Sequence, residues 1–543
     1  MKAQRRRTRN HLILAGALAM SLVTGSAALT NAAWVDDEHV HGSVGTDGKC
    51  EQNSGSPGIA SARQLSGTLL DSSLDDIASV AGVYVANDGE GTSTPSPGAT
   101  RINDSTFMAP LDVDVARNDI LRISPALDLP VGSADGYSQW SQTLNNGNTT
   151  AAAGLVTDSG GAVSIGEPQN PADPPQMATL DLGALLPSAL AGMTVEVGAV
   201  SSLARLTKCG DLGNGWLGPL EQPLLDRSYR IAALDLTAGL PEVSTAASGA
   251  ASLLLELEKT GLAAALDEME VSISTGLDLV AAPLLGTVTP GTETAVLMTP
   301  PDLAPVAALL TSTMTDETGL LTVDFKRGTI RIDLAKTAGG LNGLNGMAPN
   351  SMLLLNQKMA GQLSEALAQV LEDWQGNVTA ALVAAFRATS VKVTSTVHGL
   401  ADITLELGPA NTGQLLDLYH QVPGTPAVPV KTSVSLLGQT ELAAELAAAL
   451  PGLTGSALQE HVMDGLVGGL QSSVAALAGP IGPSLAANLD VLNGHLSIMV
   501  NVQPDQAGHP QPSGSSPYSV SALRLTLSDP ALLDLPLATS AVG

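Results

Sequence analysis

The sequence predicts an α+β protein: antiparallel, sandwich-like β-sheets with packed amphipathic helices, in two modules. Three observations point there. Short segments alternate apolar and polar residues at period two and are bounded by Gly- and Pro-rich turns, as half-buried strands require. Residues 320–334 (LLTVDFKRGTIRIDL) read as a hairpin, with Val323 and Phe325 alternating before a Lys326-Arg327-Gly328 turn and Ile330 and Ile332 after it. Residues 350–375 place Met352, Leu355, Met359, Leu363, Leu367, Leu371 and Trp374 at steps of three or four, which makes one apolar helix face.

The chain opens on an export signal. Lys2, Arg5, Arg6, Arg7 and Arg9 form a basic head, and residues 12–23 (LILAGALAMSLV) an uncharged apolar run. That run is too short for an ordinary spanning helix of about 20 residues. Ser26-Ala27-Ala28 and Thr30-Asn31-Ala32 each offer small residues at the positions a signal peptidase reads. Residues 1–32 are therefore expected to be removed. The arm that follows is polar and Gly-rich up to Cys50.

Residues 61–81 carry Leu65, Leu69, Leu70, Leu74, Ile77 and Val80 at helix-like intervals, interrupted by Gly67. A short strand is expected at 83–86, an exposed loop at 87–98, loose alternation over 113–127 and turn-rich chain over 130–148. Strands are expected within 150–166, a Pro-rich connector at 167–176 and partial helix over 178–190. Residues 194–200 alternate as a half-buried strand. A strand at 229–237 closes the first module, 33–240.

The second module, 241–543, starts with an Ala/Leu-rich helix at 248–261 and strands at 270–274 and 277–281. In the 350–375 helix, Asn350 is the expected N-cap and Gly376 the stop, with a partner helix at 378–388. Strands at 391–397 and 403–407 follow, then a Pro-punctuated linker at 422–430 (VPGTPAVPV). A helix at 441–450 is expected to end at Pro451, and Ser456-Ala457-Leu458-Gln459 matches a capping box that opens the next. Residues 465–488 read as a helix, a turn and a second helix, and strands at 496–502 and 518–527 finish the chain. Residues 229–237 (YRIAALDLT) and 518–526 (YSVSALRLT) are identical at five of nine positions, which suggests two modules ending on equivalent strands.

Composition narrows the function classes. The 543 residues carry 24 Lys and Arg against 52 Asp and Glu, for a net charge of −28. The signal holds five of the basic residues and none of the acidic ones, so the mature chain stands near −33. Such a polyanion is repelled by nucleic acid and by anionic lipid surfaces. Aromatic residues make up 2%, which argues against stacking platforms for sugars or single strands. No second membrane span is expected in the mature chain. The two cysteines, Cys50 and Cys209, are expected to pair in an oxidising compartment, closing a loop worth about 5 kcal/mol in the chain-entropy model.

Tests for chemistry return little. Asp36, Asp37, Glu38, His39 and His41 lack any closed metal-ligand spacing and read as a solvated arm. Asp112, Asp114 and Asp119 lack the grammar of a calcium loop and read as carboxylates flanking a strand. There is no Gly-x-Ser-x-Gly elbow, and Ser164 between Gly161 and Gly166 has the wrong spacing. His398 and His420 lie near Asp402 and Asp417, as any histidine will in so acidic a chain. No catalytic residue, cofactor or metal is expected.

The order of motifs resembles the choice-of-anchor G family of exported Gram-positive surface proteins. It runs from Ala33-Trp34-Val35-Asp36-Asp37-Glu38 and Gly42-Ser43-Val44-Gly45 through Cys50 to Ala62-Arg63-Gln64-Leu65-Ser66-Gly67-Thr68-Leu69-Leu70. Tyr137-Ser138-Gln139-Trp140, Ala178-Thr179-Leu180-Asp181-Leu182-Gly183, Gly198-Ala199-Val200 and the 518–527 strand complete it. The resemblance implies a surface protein tethered by a C-terminal anchor, with no activity or ligand attached. The last residues, 535–543 (LPLATSAVG), depart from it, offering no Leu-Pro-x-Thr-Gly motif, apolar span or basic tail. The junction at Ala33-Trp34 is also similar to the start of mature camelysin/TasA-type fibre proteins.

The expectation is a secreted or cell-surface, non-enzymatic envelope or adhesive protein. Its partners would be cell-wall or surface components, or other copies of itself. The alternatives are a matrix or fibre subunit and a secreted hydrolase with scattered carboxylates. N-terminal sequencing of the exported protein should begin at Leu29 or Ala33; a start at Met1 would refute cleavage.

Overall fold

The two ends of the described chain meet in one sheet. A computed structural model describes residues 56–89, 93–129, 137–155, 177–187, 190–211, 217–285, 291–337, 343–353, 357–397, 401–407, 430–434, 440–506, 518–527 and 532–543. The signal, the acidic arm, Cys50, residues 161–176 and nearly all of the 422–430 linker lie outside them. Residues Gly48–Gly543 form one compact unit. The fold is α+β, with four antiparallel sheets and a layer of helices.

The terminal sheet runs Ser351–Met352, Leu496–Val502, Tyr518–Leu527, Leu533–Val542, Gly58–Leu65, Val83–Asn87, Ser93–Pro95 in spatial order. Ala60 stands opposite Val542, and Leu65 opposite Leu537. A middle sheet is built from Leu217–Ile231, Val200–Asp211, Thr149–Leu155, Tyr137–Thr143, Thr106–Pro110 and Thr100–Arg101. A third sheet joins Thr313–Thr315, Leu321–Asp324 and Thr329–Asp333 to Leu234–Gly239, Met193–Val197, Ala178–Asp181 and Leu127–Asp128. The fourth holds Thr292–Met298, Val391–Val397, Ala401–Leu407 and Val430–Val434.

The terminal and middle sheets stack with small side chains between them. Ala60 and Ala62 face the layer that holds Ala151, Ala153 and Ala204, all essentially inaccessible to solvent. Sheets usually pack about 10 Å apart, yet here Cα atoms of Gly58–Leu65 come within 8 Å of those in Tyr137–Thr143 and Thr149–Leu155. At that distance polar groups reach across. The Ser202 and Ser540 hydroxyls lie 2.7 Å apart, Ser540 donates to the Ser202 carbonyl at 3.1 Å, and the Gln64 N–H donates to the Gln139 side chain at 3.0 Å.

The helices form the second half of the core. Gln357–Arg387 buries Leu363, Leu367, Val370, Trp374, Val378, Leu382 and Phe386 along one stripe. Trp374 stacks on Phe325 of the 320s hairpin, with ring centroids 4.4 Å apart and planes 11° from parallel, and its indole N–H donates to the Leu309 carbonyl. This offset stack locks the longest helix to the third sheet.

Several local expectations give way to tertiary packing. Gly58–Leu65 is a strand with alternating burial, not a helix, and Gly67, Leu70 and Asp71 then adopt left-handed backbone angles that no helix contains. Residues 113–123 are a helix, and Tyr137–Thr143 is a strand where turns were expected. The two strands expected at 270–281 are one helix, Leu262–Leu285. Its period-two look comes from Val271 and Ile273, but Ala265, Met269, Ile273, Leu277 and Ala281 bury a stripe at four-residue spacing.

Helix stops are overridden too. Gly376 and Pro451 end nothing, because buried residues continue past both: Trp374 to Val378, and Leu450 to Thr454 to Ala457. The cost of about 1 kcal/mol for an interior glycine is outweighed by that burial. Asn350 is no N-cap; it holds a left-handed conformation and its amide donates to the Gln503 and Gln506 carbonyls. Ser456 opens no new helix, since Thr440–Ala457 passes straight into the π-helix Leu458–Val467.

The expected boundary at residue 240 marks a change in secondary structure rather than a break. Both the terminal and the third sheets draw strands from either side of it. The 229–237 segment is split between two strands in different sheets, whereas Tyr518–Leu527 is a single strand, so the internal echo does not mark equivalent elements. Placing leucine at Ala151 forces a large side chain between sheets that are already in contact. Ala151→Leu should lower stability by about 1–3 kcal/mol, read as a lowered melting temperature; an unchanged melt would show the interface to be loose.

Candidate functional site

The sequence-predicted residues fall in separate places. Cys209 is disulfide-bonded and sits at a bulge in its strand, where the Asn148 side chain accepts from the Lys208 and Cys209 N–H groups and donates to the Cys209 carbonyl. Asp112 caps the helix Val113–Ile123 by accepting from the Val115 N–H, and Asp119 accepts from the Ser79 hydroxyl. Those two carboxylates serve a helix, not a strand. Asp402 lies in the fourth sheet, while His398, His420, Asp417 and Ser164 lie outside the described residues. Among the described residues no group of three or more His, Cys, Asp or Glu could hold a metal ion, and no helix is long and apolar enough to cross a membrane.

One set of side chains does come together in a chemically ordered way. The stripe Ala265-Met269-Ile273-Leu277 turns inward, so Glu268 and Ser272, each one residue before a stripe position, flank it on the same helix edge. Against that edge lies the π-helix Leu458–Val467, with Leu458 and Val462 buried and His461 between them. His461 Nε2 is 2.8 Å from Ser272 Oγ, and His461 Nδ1 is 3.1 Å from Glu268 Oε2. An ionised Glu268 fixes the ring proton on Nδ1, which leaves Nε2 to accept from the serine. The sequence concealed this trio because 189 residues separate Ser272 from His461. Its one local trace, Glu268 and Ser272 at i and i+4, shows only once the segment is read as a helix.

Close helix approach positions the trio. A Cβ on Gly276, one turn beyond Ser272, would lie 2.4 Å from Leu453 Cδ2. Glycine there lets the Thr440–Ala457 helix press against Leu262–Leu285 just ahead of His461. Gly261, in the π-turn Leu257–Gly261 that leads into the same helix, faces Leu466 of the second π-helix.

Two further features are structural. Gln64, Leu111, Leu127, Leu180, Val200 and Leu537 line an apolar cavity of about 60 Å³ where three sheets converge. Arg227, buried to 8% exposure, forms a fork–fork pair with Asp505. Burial opposes ionisation of Asp505, but hydrogen bonds from Arg227 and Gln506 and the Arg227 charge outweigh it and hold the carboxyl below its ordinary 3.8. In the third sheet burial wins instead, pushing the Asp235 carboxyl up despite its Arg331 partner.

A carboxyl held down by the fold adds stability above its ordinary pKa and loses it as pH falls through the folded value. Asp505→Asn leaves Arg227 buried without its counter-charge. It should cost about 3 kcal/mol near neutrality, and the difference from the parent should shrink as pH drops below 3.8. Urea unfolding at a series of pH values checks both; a pH-independent difference would remove Asp505 from the acid response.

Residues 60–543 match the family model described as "Domain of unknown function (DUF8394)". No curated protein and no solved structure matches the chain. The match takes in all four sheets and the helical layer, from the first strand of the terminal sheet to its last, and the chain belongs to the DUF8394 family.

Proposed function

We propose that this chain is an exported envelope or adhesive surface protein that acts as a discrete particle. The support for export is the basic head, apolar run and small-residue junction of residues 1–32. The resemblance to choice-of-anchor G proteins favours the cell surface. A net charge near −33 spread over a chain with few aromatics suits a solvated outer shell.

The sheet edges support this reading over a strand-pairing fibre subunit. Exposed edges template further strands unless they are short, interrupted or covered. Ser351–Met352, Ser93–Pro95, Thr100–Arg101, Leu127–Asp128 and Thr313–Thr315 are edges of two or three residues. The long edge Leu217–Ile231 contains Pro219 and Pro223, which donate no ladder hydrogen bond. Its far end is plugged by Asn345, which exchanges hydrogen bonds with the Ile231 N–H and carbonyl. On Thr292–Met298 the outward Val296 N–H is taken by the Glu270 carboxylate at 2.7 Å, and Thr292 donates to Asp278.

The mature protein should therefore elute as one discrete species in size exclusion and show single particles by electron microscopy. Filaments that grow with concentration would favour the fibre reading. Fractionating producing cells should place it in the medium or the wall, and recovery only from the cytoplasm would refute export.

A further inference from the structure

We propose that Ser272 is a nucleophile primed by His461 and positioned through Glu268, and that it accepts acyl groups from activated esters. The inference goes beyond the surface-protein reading and does not depend on it. The parts needed to activate a serine are a base within hydrogen-bond reach and a third group that fixes the base. Both are present: Ser272 Oγ to His461 Nε2 at 2.8 Å, and His461 Nδ1 to Glu268 Oε2 at 3.1 Å. The polarity of the arrangement matters more than its proximity. Glu268 meets the ring nitrogen remote from the serine, so the carboxylate and the hydroxyl do not compete for one atom.

Two further observations separate this trio from an ordinary clamp between helices. A serine inside a helix usually turns its hydroxyl back to the carbonyl four residues earlier, as Ser252, Ser472 and Ser473 do here. Ser272 instead points out to the imidazole while remaining half-buried and reachable. His461 is also presented by a ten-residue π-helix, and a second π-turn, Leu257–Gly261, precedes the helix that carries its partners. π-Turns are rare, pay a hydrogen-bonding cost and recur at functional sites.

The position of Ser272 also sets the substrate class. In a helix interior the neighbouring backbone N–H groups are spent on helical hydrogen bonds, so they do not serve a developing oxyanion. Esters with good leaving groups need least help there, which makes phenyl-type esters, rather than amides, the fitting acyl donors. In acylation Oγ bonds to the carbonyl carbon as its proton passes to His461 Nε2. The carbon–oxygen bond to the leaving phenol breaks, and the phenol leaves with that proton. Water then gives a proton to the same nitrogen and attacks the acyl carbon; the bond to Oγ breaks, the acid leaves, and the proton passes from Nε2 to Oγ to restore the serine.

The test uses the full mature chain, a fluorophosphonate probe and p-nitrophenyl acetate. The probe should bond to Ser272 with loss of fluoride, located by peptide mass spectrometry. Ester turnover should be measurable in the parent and lost in Ser272→Ala. Ser272→Ala should abolish labelling, His461→Gln should slow it by about 100-fold or more and Glu268→Gln by about 10-fold or more, with thermal melts confirming that each variant folds. Glu268 is 68% exposed, so its variant remains informative should the histidine variant fail to fold. Absence of adduct at Ser272 in the folded parent, or an equal labelling rate in Glu268→Gln, would overturn the proposal.

Discussion

The close approach of the terminal and middle sheets is the constraint on which the rest of the structure depends. Two sheets come within this range when most of the facing side chains are small. Ala60, Ala62, Ala151, Ala153, Ala204, Ser202 and Ser540 meet that demand. Small residues bury little apolar area each, so the stabilisation per residue is modest. It is made up by the number of residues engaged and by direct hydrogen bonds between the layers. Phe325 and Trp374 stack where the longest helix meets the third sheet.

The parts legible in the sequence are those whose stabilising partners lie nearby in the chain. The hairpin around Gly328, the strands Val391–Val397 and Ala401–Leu407, and the alternating Met193–Val197 all announce themselves by local pattern. The α+β class followed correctly from them. Misreadings arose where a distant partner decides. The stripe on Leu262–Leu285 becomes visible only at four-residue spacing, since Val271 and Leu279 are exposed apolar residues that blur it. Gly376 and Pro451 carry local stop signals, yet burial on both sides keeps the helix going. Leu533–Val542 was missed as a strand because Pro536 interrupts its pattern; the partner strands Gly58–Leu65 and Tyr518–Leu527 hold it in place.

The candidate site was hidden for a related reason. Linear motifs find catalytic serines when a sharp turn presents them, and here the serine rides a helix edge and its base comes from another helix. What joins them is the glycine at 276, which no chemical motif would single out. The Cys209 bulge shows the opposite case, a residue flagged by simple counting whose surroundings, organised by Asn148, could not have been foreseen.

The terminal sheet has a further consequence for how the protein comes into being. Its innermost pairing joins Gly58–Leu65 to Leu533–Val542, nearly the longest sequence separation the chain permits. The first strand thus has no permanent neighbour on that side until almost the whole polypeptide has been made. Folding of this kind is slow and cannot complete from the front. Under the proposed export, in which the chain crosses a membrane unfolded, late closure is an advantage: the strand Leu533–Val542 fastens Gly58–Leu65 only after it has emerged.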